Sequence, residues 1–222
     1  MITRVGMAPR LPGMSVEGFQ THWRTVHADA ASRIPGVLSY VQNHALFRHG
    51  RLLLPYPGFD VCAELEFDDL AAMDAGFASP HYQETVRSDE PKFIDRSRFS
   101  LVLAERHVQL EGSPPDEAVK LLTFLRAHPA YPREWFVEAL MGPYAKAVRV
   151  PGVQRHEQLI ALPEAHTGRQ PPACDGIDIL WFADADEALE FVNSEVAQEA
   201  FLHLAGRSFG AERLIARPLR IV

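Results

Sequence analysis

Arg33-Ile34-Pro35-Gly36-Val37 returns 116 residues later as Arg149-Val150-Pro151-Gly152-Val153. The same offset pairs Arg10 with Arg126, Phe19 with Trp135, Ala31 with Ala147 and Gln42 with Gln158. Further along the offset falls by one, pairing Asp60 with Asp175, Leu65 with Leu180 and Phe67 with Phe182. Matches that keep register across half a chain mark an internal repeat. Between the copies lies Gln109-Leu-Glu-Gly-Ser-Pro-Pro-Asp-Glu-Ala118, polar and broken by Gly and two Pro, which reads as a linker. The expected division is a domain over 1–108, a linker over 109–118 and a second domain over 119–222.

Each half carries the same order of elements. Apolar/polar alternation opens it with a strand, about 2–9 and again 119–126. A helix follows, with Ser15 as N-cap and Glu17 in its first turn, where a carboxylate suits the helix dipole. Phe19, Trp23, Val26/His27, Ala30 and Ile34 recur at three- and four-residue steps and give it one buried face. Pro35-Gly36 stops it. A strand at about 37–47, a Pro/Gly loop, a strand at about 60–67, a helix from Asp68/Asp69 towards Phe77, a helical stretch near 80–87 and a last strand over Ser100–Arg106 complete the unit. The order β-α-β-β-α-β is that of a ferredoxin-like fold, an α+β unit whose helices cover one face of an antiparallel sheet. The bare face needs a partner, and a second copy in the same chain supplies it. The expectation is two antiparallel sheets face to face, closed into a barrel-like core, with helices outside.

Bulk properties exclude several functions. The chain has 222 residues and a net charge of −7, a poor match to nucleic-acid phosphates. It has no apolar run long enough for a membrane span and no signal-peptide pattern at its start, so the expected location is the cytoplasm. Cys62 and Cys174 form no metal or redox spacing. No Gly-rich phosphate loop, Gly-x-Ser-x-Gly or Cys/His cluster is found, so nucleotide, flavin and zinc chemistry are not expected.

A small set of polar residues remains for chemistry. His27 lies four residues after Trp23 and so shares its face, pointing towards the sheet. It is either a general acid/base or a buried structural imidazole. His22 is expected to point sideways or outward. Being five residues from His27, not four, it is not expected to form a metal pair with it. Tyr40, Gln42 and His44 alternate on one strand face. They line either a pocket opposite His27 or a network between the halves. Their column in the second half reads His156, Gln158 and Ile160, which leaves a second site open. Glu64, matched by Ile179, either orients His27 or lies on an interface face. Asp60, repeated as Asp175, reads as a strand-entry cap. Phe19 and Trp23 would wall a pocket, Cys62 packs as a small apolar residue, and His81-Tyr82 follows Pro80 at a helix start or lid.

The phrase Phe19-Gln-Thr-His22-Trp23-Arg-Thr-Val-His27, followed by Ile34-Pro35-Gly36-Val37-Leu38-Ser39-Tyr40, resembles the signature of the EthD-domain family. Asp60-Val-Cys-Ala-Glu64-Leu-Glu-Phe67, Asp89-Glu90 and Phe93-Ile94-Asp95 resemble its later segments. The resemblance covers nearly all of the first half. In the second half the offset places Glu138, Ala139 and Pro143 opposite His22, Trp23 and His27, so that half reads as degenerate. The resemblance implies a dimeric α/β barrel, here fused within one chain, and no obligate cofactor. It also implies activities such as decarboxylation of aromatic polyketide acids or, in a neighbouring group, isomerisation of a methylmuconolactone. The leading expectation is a cofactor-independent lyase or isomerase acting on a small hydrophobic aromatic or lactone substrate. Its catalytic residues would be His27, Tyr40 and His44, with Trp23, Gln42, Glu64 and Phe19 binding substrate and no metal. A cofactor-free monooxygenase and a non-catalytic small-molecule-binding or stress-related protein stay open, as does pairing of the fused unit with a second copy.

Overall fold

In the computed structural model, which describes all 222 residues, eight strands carry the alternation read above. They are β1 (Ile2–Ala8), β2 (Ser39–Ala45), β3 (Val61–Phe67), β4 (Ser100–Leu110), β5 (Val119–Ala127), β6 (Arg155–Ala161), β7 (Gly176–Phe182) and β8 (Ser208–Arg220). They pair antiparallel and close into one barrel in the order β1-β3-β2-β8-β5-β7-β6-β4. The expected barrel-like core is present as one closed antiparallel barrel. The outer strands of the two halves pair edge to edge, β2 with β8 and β4 with β6. Closure satisfies N–H and C=O groups that two open sheets would leave at four edges. Strand β4 runs four residues past its expected end, into the linker, and that extension lengthens the pairing with β6, which begins at Ala104.

Helix α1 spans 16–31 as Val16–His22, a π-turn Trp23–His27 and Ala28–Ala31. The Ser15 hydroxyl caps it, accepting from the Gly18 N–H at 3.1 Å. Helix α2 is Leu70–Ala78, capped by Asp69, and α3 spans 82–89 through a π-turn Tyr82–Val86. In the second half α4 spans 133–147 with a π-turn Leu140–Tyr144, followed by α5 (Ala185–Asn193) and α6 (Glu195–Leu202). The repeated Pro-Gly has a backbone cause. Gly36 and Gly152 sit at φ 81° and 98°, a left-handed conformation that suits glycine after a helix.

Strand parity sorts the side chains into three clusters. One, around Phe19, Trp23, Tyr40 and Phe67, lies between the first-half strands and α1–α3. Another, around Phe136, Leu140, Tyr144 and Phe182, lies under α4–α6. The third, including Val5, Cys62, Val102, Leu122, Leu159 and Ile179, fills the barrel. An ionic network shares that interior. Glu64 accepts from Lys120 Nζ at 2.7 Å, Arg106 Nη2 at 2.6 Å and Asn43 Nδ2 at 2.7 Å. Arg106 also reaches Glu66 and Glu157, and Glu157 accepts from Arg155 and Trp181. Three carboxylates face three cations. Glu64–Lys120 and Arg106–Glu157 each join one half to the other. Burial alone would raise the Glu64 carboxyl, but Lys120 and Arg106 more than offset it and hold it well below the usual carboxylate range.

Candidate functional site

Two π-turns frame the site. An α-helix places residues five apart on different faces, whereas a π-turn closes i→i+5 and stacks them. The turn Trp23–His27 therefore brings His22 and His27 to one side, and both reach Asp89 at the end of α3. His22 Nε2 lies 3.1 and 3.0 Å from the two Asp89 oxygens, and His27 Nδ1 lies 3.2 Å from Oδ2. This corrects the expected outward direction of His22. The two imidazoles converge on a carboxylate. Burial would raise the Asp89 carboxyl, but the hydrogen bonds and charges of His27 and His22 hold it well below the ordinary range. Phe93 packs against both imidazoles, at 5.0 Å from His22 and 4.7 Å from His27.

His27, Trp23 and Tyr40 line a cavity of about 50 Å³ between α1, α3 and the sheet. Its wall is otherwise mostly apolar, with Ile34, Val61, Ala63, Leu65, Phe77 and Phe99, but it also holds Arg4, Tyr82 and Glu90. Bonding of His27 Nδ1 to Asp89 leaves Nε2 without a protein partner. Gln42 donates to the Trp23 carbonyl and to Tyr40 Oη, both at 2.8 Å. The Tyr40 hydroxyl thus accepts within the protein and keeps its own O–H to donate. Burial pushes the Tyr40 phenol up to about 12, against hydrogen bonds from Gln42 and Trp23 that pull it down. His44 lies beyond the cavity wall. Its ring packs on Trp23 at 4.6 Å and its Nε2 sits 2.9 Å from Gln42 Oε1. Burial, with Arg24 nearby, pushes His44 down to about 4, so it is neutral at neutral pH.

The remaining expected residues fall elsewhere. Phe19 packs behind Trp23 and Phe93. Glu64 faces the barrel interior, on the opposite side of the sheet from His27, which corrects its assignment to the same pocket. The reason is parity: Ala63 and Leu65 take the helix side, so Glu64 must point inward. Asp60 accepts from the Arg10 N–H at 2.9 Å and pairs with the Arg10 guanidinium; Asp175 accepts from the Ala127 N–H at 2.8 Å and pairs with Arg133. Arg126 makes no such pair, so the offset of 116 is wrong by one residue there. His81 Nε2 binds the Ala30 carbonyl at 2.8 Å and locks α3 to α1, while Tyr82 reaches the cavity.

The strand registers also correct the alignment of the helices. Gln42 binds the Trp23 carbonyl and Gln158 binds the Leu140 carbonyl, so Leu140 stands where Trp23 does. The counterparts of His22 and His27 are then Ala139 and Tyr144, not Glu138 and Pro143. The second half fills its equivalent space. Asp178 accepts from Tyr144 at 3.1 Å and from Gln158 at 2.9 Å, and lies 2.6 Å from His156 Nε2. Those four side chains are at most 1% exposed. Gly6 pairs with Ala63 across β1 and β3, whereas Thr123 pairs with Asp178 across β5 and β7. Small residues open the hollow in one half, and larger polar ones close it in the other.

Sequence reading missed Arg4, gave Asp89 and Glu90 no role in this pocket, and placed Tyr82 only at a helix start or lid. Asp89 and Glu90 were noted only as a family-like segment, and no local periodicity ties them to His27. Arg4 was visible as a charge on the helix-facing side of a strand.

Residues 11–97 match the EthD domain. This stretch of the chain is similar to that domain. The match runs from the segment between β1 and α1 to just before β4 and so includes His22, His27, Tyr40 and Asp89. Comparison with curated proteins gives no match. Among solved structures, an anthrone oxidase-like protein aligns at a TM-score of 0.69 and 11% identity, covering 99% of this chain and 93% of its own. A candidate monooxygenase of Fusobacterium nucleatum aligns at 0.64 and 9%, covering 98% and 92%. A mutant chlorite dismutase from Candidatus Nitrospira defluvii aligns at 0.55 and 10%, covering 97% and 90%. At such identities the likeness is one of fold alone, and it extends over nearly the whole chain. No helix is long and apolar enough to cross a membrane.

Proposed function

We propose that the chain is a cofactor-independent proton-transfer enzyme, a lyase or isomerase acting on a small hydrophobic aromatic or lactone compound. We read the barrel as two ferredoxin-like units in tandem, 1–108 and 119–222, with the active site in the first. The reading is carried by the Asp89–His27 pair beside the Tyr40 hydroxyl in an otherwise mostly apolar hollow. Asp89 takes Nδ1–H of His27, so Nε2 is the basic nitrogen available to a substrate C–H or O–H. As charge moves onto a substrate carbonyl, Tyr40, neutral and bonded to Gln42, donates its O–H to that oxygen. A positioned proton acceptor contributes roughly 100- to 10,000-fold. His44 and Gln42 act behind Tyr40, as positioning groups. The hollow as it stands holds no more than one or two waters. Substrate entry therefore needs the wall to move, and the π-turns of α1 and α3 place irregular, adjustable backbone on that wall.

A cofactor-free monooxygenase is the second reading, favoured by the descriptions of the anthrone oxidase-like and monooxygenase relatives in fold. Both readings share the first step. His27 removes a proton, and the carbanion then meets either a proton or dioxygen. Anthrone and a muconolactone, incubated in D2O with and without air, separate the two. Deuterium incorporation without oxygen uptake supports the lyase or isomerase, and oxygen consumption with anthrone supports the monooxygenase. His27→Asn should lose either activity. Equal rates for wild type and His27→Asn would sink both readings.

A further inference from the structure

Arg4 is a charged side chain in the cavity wall for which the mechanism above has no use. Its guanidinium carbon lies 4.3 Å from the Phe77 ring centre and 5.3 Å from that of Phe99. Cation–π contact with two rings holds the guanidinium, while its N–H groups still need an acceptor. The protein supplies none: Arg4 makes no side-chain hydrogen bond and no ion pair. Glu90, the carboxylate in the same wall, is already engaged by the Tyr82 hydroxyl at 2.9 Å and by Arg96 Nε at 3.0 Å. Arg4 and Arg96 thus face one carboxylate, Arg169 adds a further positive field, and Tyr40 and Tyr82 are neutral phenols. One positive charge is left over. Gly6 makes room for it, since a Cβ there would stand 3.1 Å from Arg4 Nη1 and 3.2 Å from Phe99 Cε2. In the second half the register puts Leu121 in the place of Arg4 and Thr123 in that of Gly6.

We propose that Arg4 is the anion-receiving subsite of this cavity, and that its ligand is a planar carboxylate attached to an apolar, ring-sized body. A carboxylate offers two oxygens in the plane of the guanidinium fork, a match a lone neutral carbonyl lacks. Phe77 and Phe99 would flank the same ligand, as edges of an apolar slot. The identification of the substrate as an acid rests on the first-half cavity being the active site.

The test compares benzoate with benzamide, equal in shape and different in charge, by calorimetry on the full chain. Wild type is expected to bind benzoate at least 10-fold tighter than benzamide. Arg4→Met should abolish that preference and Arg4→Lys should keep part of it. His27→Asn should keep it in full, because the anion contact does not pass through the imidazole. If Arg4→Met fails to fold, the Nε–Hε NMR signal of Arg4 in wild type gives the same answer, and benzoate is expected to move it. Equal binding of the two probes, failure of benzoate to bind, an unmoved Arg4 signal or a preference surviving in folded Arg4→Met each overturns the proposal. A benzoate preference in a protein whose His27→Asn variant still exchanges deuterium would leave the subsite standing and remove the proton-transfer reading. The reverse pattern would do the opposite.

Discussion

Replacing Lys120 with Met removes the cation that joins the two halves inside the barrel. Lys120 is 2% exposed, its ammonium bonds to Glu64 at 2.7 Å, and it lies 4.9 Å from the Trp181 ring centre. Breaking one partner of a buried pair costs about 3–5 kcal/mol. Glu64 keeps Arg106 and Asn43, so the expected cost of Lys120→Met is at the low end, about 3 kcal/mol. For a chain of this size that lowers Tm by about 6–12 °C. Glu64→Gln should cost more, because it leaves the ammonium buried with only a neutral amide and an indole. In the double variant neither charge is stranded, so its cost should fall short of the sum of the singles by about 2 kcal/mol. Urea unfolding followed by circular dichroism, with unchanged slope, reads all three.

The pH dependence carries the same sign. The Glu64 carboxyl is depressed in the folded state, so its stabilisation is present above its unfolded value, about 4.3, and is lost as pH falls towards the folded value. Lys120→Met brings that folded value back up, and acid unfolding should start at higher pH. Strictly additive singles, or a Lys120→Met variant as stable as wild type, would refute the view that this pair clamps the halves.

Asp89→Asn keeps the shape of the carboxylate but lets His27 adopt the wrong tautomer. It should lower deuterium exchange roughly 100-fold or more and cost about 1–3 kcal/mol in urea unfolding. His44 is depressed in the folded state to about 4, so its contribution to stability is present above the unfolded value near 6.5 and drains away as pH falls towards 4. His44→Gln should flatten urea stability across that window, and the His44 ring protons should not titrate above it. A Cβ at Gly76 would clash with the Pro35 carbonyl oxygen, so Gly76→Ala should push α2 off the Pro-Gly turn and lower stability by about 1–3 kcal/mol, readable as a lower Tm.

The fold was largely legible because its determinants are local and repeated. Alternation set the strands, the Ser15 and Asp69 caps started helices, and Pro35-Gly36 and Pro151-Gly152 stopped them. The strand pairs that close the barrel were less legible. Strand β4 pairs with β6 from Ala104 to Leu110, but only Ser100–Arg106 reads as strand, and Gln109 and Leu110 read as linker. The site was legible only where helix and strand periodicity place residues together, as with Trp23, His27 and Tyr40. The spacing of His22 and His27 was misread because α-helical geometry was assumed where the backbone takes a π-turn.

The one-residue error in aligning the halves also bears on function. With α4 shifted by one, Tyr144 stands in the place of His27, and Asp178 stands in the place of Ala63. Both halves thus put a carboxylate beneath their π-turn, but from different elements. In the second half it comes from the strand floor, so it fills the hollow and ties Tyr144, His156 and Gln158 into a sealed cluster. In the first half it comes from the side, through α3, so it can hold His22 and His27 while Ala63 and Gly6 leave the floor open. The asymmetry therefore lies in where the carboxylate enters as much as in the loss of histidines. It follows that Ala63→Asp should close the first hollow and abolish benzoate binding while Asp89 still holds His27.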